Sequence, residues 1–118
     1  MKLIIISILA LILVSCQHTV FGTSSWQYEV TGTAQTANIT MTNRDGSIVQ
    51  FNNVELPWSY SFSTYNITTF FASISAQNNG NDGNITVRII RNGNQVRTST
   101  SHGAFAVAFA SYHMTSTF

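Results

Sequence analysis

Trp58-Ser59-Tyr60-Ser61-Phe62-Ser63 sets an aromatic residue against a serine in strict alternation. Successive side chains of a β-strand point to opposite faces, so a period of two places the three rings on one side and the three hydroxyls on the other. Aromatic residues are also among the types that strands favour. Pro57 stands just before the run. It has no N–H to give to a ladder, so it marks the start of a strand rather than its middle.

The same period recurs on both sides of this stretch. Trp26, Tyr28 and Val30 alternate with Gln27, Glu29 and Thr31; Ala37, Ile39 and Met41 alternate with Asn38, Thr40 and Thr42. Downstream, Phe70, Ala72, Ile74 and Ala76 alternate with Phe71, Ser73 and Ser75, and Ile85, Val87 and Ile89 alternate with Thr86, Arg88 and Ile90. In the run from Ala104 to Ala110, Phe105, Val107 and Phe109 share one face and alanines the other. Alanine also suits a helix, but the alternation and the preceding Gly103 favour a strand here. The alanine face leaves room for another element to pack close. Turn chemistry separates the runs. Asn43-Arg44-Asp45-Gly46 joins two strands, Asn78 to Gly83 forms a longer loop, and Asn92-Gly93 is a two-residue hairpin signal. Seven or eight short strands with turns roughly every ten residues imply an all-β, antiparallel, Ig-like β-sandwich from about Trp26 to Tyr112. Its expected core is Trp26, Tyr28, Val30, Ile39, Met41, Trp58, Tyr60, Phe62, Ile74, Val87, Ile89, Phe105, Val107 and Phe109.

The chain opens differently. Lys2 is followed by an apolar run from Leu3 to Val14, interrupted only by Ser7, and then by Ser15-Cys16. A spanning helix needs about 20 apolar residues, and this run is shorter. Its length suits the h-region of a signal peptide. Leu13-Val14-Ser15-Cys16 has the form of a lipobox, and Cys16, the one cysteine of the chain, is the candidate lipidation residue. The expected organisation is a lipoprotein signal peptide over 1–15, a lipidated tether over 16–25 and a sandwich domain over 26–118. Fully extended, the residues from Gln17 to Ser25 reach about 30 Å, which keeps the domain close to the bilayer.

Composition narrows the function further. Without Lys2, the charged residues are Arg44, Arg88, Arg91 and Arg97 against Glu29, Asp45, Glu55 and Asp82. A domain this close to neutral is a poor partner for nucleic acid. With Cys16 acylated no thiol remains, so the fold stands on packing without a disulfide. Asp45 and Asp82 precede glycines in turns and serve backbone geometry there. His18, His102 and His113 are scattered and carry no metal-ligand spacing. No nucleophile–base arrangement and no phosphate-cradling loop is present, so the sequence implies neither enzyme nor cofactor. Three Asn-x-Thr triplets, at Asn38, Asn66 and Asn84, fit an Asn/Thr-rich surface. Phe70 and Phe71 cannot both face one core, so one of them is exposed or lies beneath a loop.

Tyr28-Glu29-Val30-Thr31-Gly32, Leu56-Pro57-Trp58-Ser59, Ser73-Ile74-Ser75-Ala76-Gln77-Asn78, Val87-Arg88-Ile89 and Asn92-Gly93 together resemble the MmpS family of transport accessory proteins, in order and in spacing. The likeness runs from about Trp26 to Ala110. It implies a small envelope protein with an extracytoplasmic β-sandwich, non-catalytic, working beside RND-type transporters that export siderophores and lipids. The mycobacterial members carry a transmembrane helix and a pair of cysteines in the domain. This chain has a lipobox and no domain cysteine. In this pattern Trp58 is a core residue, Gly32 and Gly93 form turns, and Gln77 and Asn78 cap a strand by hydrogen bonding.

The expected function is that of a membrane-tethered, non-catalytic accessory or binding module for an RND-type exporter. A structural or adhesive surface lipoprotein and a small-molecule-binding sandwich are the alternatives. The expected partners are the membrane, through the lipid, and a transporter protein. The expected place is the bacterial envelope, facing the periplasm, with the outer membrane as default because Gln17 rather than Asp follows Cys16. Replacing Cys16→Ala should release the domain from the membrane fraction, since a lone peptide segment of this length lacks the two acyl chains that hold a protein stably. Fractionation together with intact-mass measurement checks it; membrane retention at unchanged mass would contradict the lipid anchor.

Overall fold

Backbone pairing divides the chain into two sheets. In the computed structural model, which describes residues 23–115, the strands are β1 (Ser24–Thr31), β2 (Thr36–Thr42), β3 (Ile48–Glu55), β4 (Trp58–Thr64), β5 (Thr69–Asn78), β6 (Asn84–Arg91), β7 (Asn94–His102) and β8 (Val107–Thr115). One sheet has the order β4-β1-β6-β7 and the other β3-β2-β5-β8, and every pairing is antiparallel. The described residues form an all-β sandwich of eight strands. Strand β1 begins at Ser24, so Ser24 and Ser25 lie within the ladder, opposite Thr64 and Ser63.

The turns form where the local sequence permits them. Asn92 and Gly93 both take positive φ, which gives the β6–β7 hairpin the backbone twist its strands require. Gly32, also at positive φ, passes so close to Asn84 that a Cβ there would collide with the Asn84 carbonyl oxygen. A glycine is therefore needed where β1 leaves its sheet.

The alternating residues of β1, β2, β5 and β6 form the interior. Trp26, Tyr28, Val30, Ile39, Met41, Ile74, Ile85, Val87 and Ile89 are buried, with Phe70 and Met114 at one end. Trp58, Tyr60 and Phe62 face this core but remain half-buried, because β4 is an edge strand and its rings close an open flank. There they meet Phe51 of β3, with ring centroids 5.5 Å apart for Phe51–Trp58 and 6.2 Å for Phe51–Tyr60. Two polar groups complete the interior. The Tyr28 hydroxyl donates to the Thr42 carbonyl at 2.8 Å, linking the two sheets, and Trp26 Nε1 donates to Thr64 Oγ1 at 3.1 Å. Burial holds the Tyr28 phenol well above its ordinary pKa, so it stays a donor.

The opposite flank is built differently, and here the sequence reading needs correcting. Phe105, Val107 and Phe109, expected in the core, are 55 %, 54 % and 57 % exposed, whereas Ala108 and Ala110 are buried. The alternation is present but in the other phase. Ala76 pairs with Ala108 and Ile74 with Ala110. With methyl groups facing inward, Cα atoms of β8 come within 8 Å of β6 and β7. An interior packed to crystal-like density leaves room for methyl groups where Ala108 and Ala110 face inward, while Tyr112 and Met114 fill the other end of the same face. Phe71 is likewise exposed, and Phe70 is buried.

The two phases predict opposite stabilities. Ile89→Ala should cost about 2–5 kcal/mol. Phe109→Ala should change stability by no more than roughly 0.5 kcal/mol, the usual range for a surface position. Denaturant melts of the domain check both.

Candidate partner-binding face

The outer faces of the two sheets differ. The face of the β4-β1-β6-β7 sheet displays Ser59, Ser61, Gln27, Glu29, Thr86 and Arg88. Thr86 and Thr100 are bonded across it at 2.8 Å, and Arg88 donates to Thr31 Oγ1 at 3.0 Å. The face of the other sheet combines a polar centre with an apolar margin. Ser75 lies opposite Phe109, Gln77 opposite Val107, Ser73 opposite Ser111 and Phe71 opposite His113. Phe105, Val107 and Phe109 therefore run along the β8 margin, beside hydroxyls and amides.

Phe105 is held in place by its backbone. Its φ of 53° lies in the left-handed region, which is uncommon for a bulky residue. Its N–H donates to the Gly80 carbonyl at 3.2 Å, and its carbonyl accepts from Gln77 Nε2 at 3.3 Å. Beneath it sits Asn78, only 1 % exposed. The Asn78 side chain donates to the carbonyls of Asp82 (2.7 Å) and Gly103 (3.2 Å) and accepts from the Gly80 N–H (2.8 Å). Its backbone N–H donates to the Ala106 carbonyl at 2.9 Å. One buried amide thus ties the β5–β6 loop to the β7–β8 connection. Strain kept by surrounding bonds, with the ring left in solvent, is a pattern associated with functional positions.

This apolar margin begins at the end of the sandwich opposite the point where the chain enters. Ser24, paired with Thr64, lies 3.7 Å from Met114 Sδ, whereas Gly103 bonds to Gly83 at the far end. Strand β8 runs from the far end, at Val107, toward the entry end, at Thr115.

Of the residues singled out in the sequence, Cys16 lies outside the described residues. Trp58 is a half-buried packing residue. Gln77 and Asn78 do act as strand-end hydrogen bonders, and Ser73 and Ser75 belong to the polar centre beside the apolar margin. Among the described residues no three His, Cys, Asp or Glu side chains come together as a metal site. The sequence reading missed the margin of Phe105, Val107 and Phe109. The signal available was the set of alanines on the alternate positions, small enough to be the inward face.

The family described as Mycobacterium membrane protein matches residues 14–116. The chain belongs to this family, the MmpS family. It is an MmpS-family membrane protein, and MmpS proteins are non-catalytic and accessory to MmpL transporters. No curated protein matches the chain. Among solved structures, the carbohydrate-binding module vCBM60 in complex with galactobiose is similar at 12 % identity. That match covers 75 % of this chain and 96 % of the module, with a TM-score of 0.45. A domain of unknown function from Bacteroides vulgatus is similar at 8 % identity, covering 84 % of this chain and 99 % of the domain, also with a TM-score of 0.45.

Asn78→Ala should leave the Asp82 and Gly103 carbonyls and the Gly80 N–H without their partner, at roughly 1–3 kcal/mol. Amide exchange should accelerate at Gly80, Gly103 and Phe105, whose N–H groups are bonded here, and remain slow in β1 and β6. Mass-spectrometric or NMR exchange measurements check this.

Proposed function

We propose that this MmpS-family protein is a lipid-anchored accessory subunit of an RND-type exporter, held at the envelope face of the membrane through Cys16 and doing no chemistry of its own. Family membership over residues 14–116 is the observation that carries this reading. The exposed apolar margin supports it, since a contiguous apolar patch on a small domain is the usual mark of a protein contact. A short tether raises the concentration of the domain beside membrane partners, so that a modest contact suffices for association. The lipid replaces the transmembrane helix of the mycobacterial members as the anchor. The contact with the transporter then falls to the folded domain.

Deleting the gene should abolish export of one class of lipid or siderophore, visible as its loss from the medium and envelope and its accumulation in cells. The wild-type gene should restore export and the Cys16→Ala gene should not. An unchanged export profile in the deletion strain would replace this reading with that of a structural or adhesive lipoprotein.

A further inference from the structure

We infer that the end of the sandwich at which the chain enters is a membrane-contact surface, where Arg44 and Arg91 meet anionic lipid headgroups and Tyr65 and Phe71 enter the interface; the inference rests on the membrane anchoring in the reading above and not on the transporter. Four segments converge at this end. Strand β1 starts there at Ser24, with the end of β4 opposite it at Thr64. Strand β6 ends there at Arg91, opposite Trp26, and the N–H of Asn92 in the β6–β7 hairpin donates to the Ser25 carbonyl at 2.8 Å. Residues 65–68 join β4 to β5 at the same end, where Thr69 faces Thr115. The β2–β3 turn closes it from the side: Arg44 and Gly46 line a shallow recess together with Ile67, Thr69, Phe71 and His113.

Charge is divided along the direction of the strands. Among the described residues, the entry end holds Arg44 and Arg91 with one carboxylate, Asp45, whereas the far end holds Glu55 and Asp82 and no Lys or Arg. Asp45 is turned back onto its own turn, where the Ser47 N–H and hydroxyl donate to its Oδ1 at 3.0 Å and 2.6 Å. Arg44 is exposed. The Arg91 guanidinium sits 5.7 Å from the Trp26 ring centre and donates to Ser24 Oγ at 3.2 Å, so it is held at the point of entry. Midway along the strands, Glu29 lies opposite Arg88, and Arg97 stacks on Tyr112. The entry end also shows three large apolar side chains, Ile48, Tyr65 and Phe71, each more than half exposed. A tyrosine at headgroup level buries its ring and keeps its hydroxyl wet. A guanidinium offers a phosphate two N–H groups at once.

The occupant is a lipid surface because the chain itself delivers this end to one. The apolar run from Leu3 to Val14 precedes Ser24, and the residues from Gln17 to Thr23 span at most about 25 Å. The far end stands a strand length further off, about 30 Å for the nine residues of β8. A tether this short holds the entry end at high effective concentration beside the headgroups, so weak contacts suffice. A bilayer containing anionic lipids is negative at its surface. It attracts Arg44 and Arg91 and repels Glu55 and Asp82, so the division of charge turns the domain upright. In that orientation Phe105 and Val107 stand on the side away from the bilayer and stay open to a protein partner.

The test uses the full-length lipidated chain with a photoreactive side chain at position 65, 71 or 105. It is reconstituted in vesicles of phosphatidylcholine with phosphatidylglycerol, or of phosphatidylcholine alone. Flotation with the vesicles reads the anchor, and crosslinks to lipid read the contact. Positions 65 and 71 should crosslink to lipid in the mixed vesicles, and position 105 should not. Arg44→Glu, whose fold thermal melts verify, should lower the yield at positions 65 and 71 about fivefold or more, the ratio that one arginine beside an anionic surface is worth. Neutral vesicles or raised salt should lower the wild-type yield in the same direction, since salt screens exposed charges. Equal yields at positions 65 and 105, the same yields in neutral and mixed vesicles, or unchanged yields for Arg44→Glu would each overturn the contact and leave the anchor standing. So would crosslinks from position 65 to protein alone in the cell's own membranes. Failure of the wild-type chain to float would overturn anchor and contact together.

Discussion

The close approach of the two sheets along the β8 flank is the constraint from which the rest of the arrangement follows. Ala108 and Ala110 of β8, beside Ala72 and Ala76 of β5, keep that side of the interior thin. The other flank is filled with rings from Phe51, Trp58, Tyr60 and Phe62. At the end held by Ala108 and Ala110 the inward positions carry methyl groups, with Tyr112 and Met114 further along the same face packed against the core, and the side chains of Val107 and Phe109 stand at the surface. The same choice that completes the core creates the apolar margin. The core and the exposed margin are therefore two faces of one strand, and a larger residue at Ala108 or Ala110 would disturb both.

Without a cysteine pair in the domain, the sheets are held to each other by packing and a small number of buried polar groups. Tyr28 spans the core to the Thr42 carbonyl, and Asn78 closes the far end by bonding three backbone groups in two connections. Each is satisfied, and among the described residues no buried side-chain nitrogen or oxygen lacks a partner. Groups of this kind add little net free energy, but their loss exposes the full cost of desolvation. They fix which loops meet at the far end, and through Gln77 and Gly80 they fix where Phe105 stands.

Much of this was legible in the sequence. Period-two alternation located β1, β2, β4, β5 and β6 and their inward residues, and Asn92-Gly93 gave the β6–β7 hairpin. Periodicity separates two faces of a strand without naming the inner one, and this is why β8 was read in the wrong phase. Burial of the larger side chains is the ordinary expectation, and only the limited depth between β8 and its neighbours reverses it. Strand β7, Asn94–His102, carries almost no apolar signal because it is an edge with few inward contacts. The exposed margin was hidden for a related reason: exposed and buried phenylalanines look the same in a sequence, and the difference lies in what stands opposite them. Asn78 was expected to bond at a strand end, but its reach to the β7–β8 connection is a tertiary fact that local chemistry does not contain.

The placement of β1 bears on how the domain carries load. The chain enters at Ser24 directly into a central strand, paired along its length with β4 on one side and β6 on the other. A pull applied at Ser24 acts along that strand, so the ladder bonds on both sides are strained together, as in a lap joint, instead of being opened one at a time like a zipper. An edge strand at the entry point would peel. A domain loaded at this end therefore resists through two ladders at once and holds its shape up to the force that shears both.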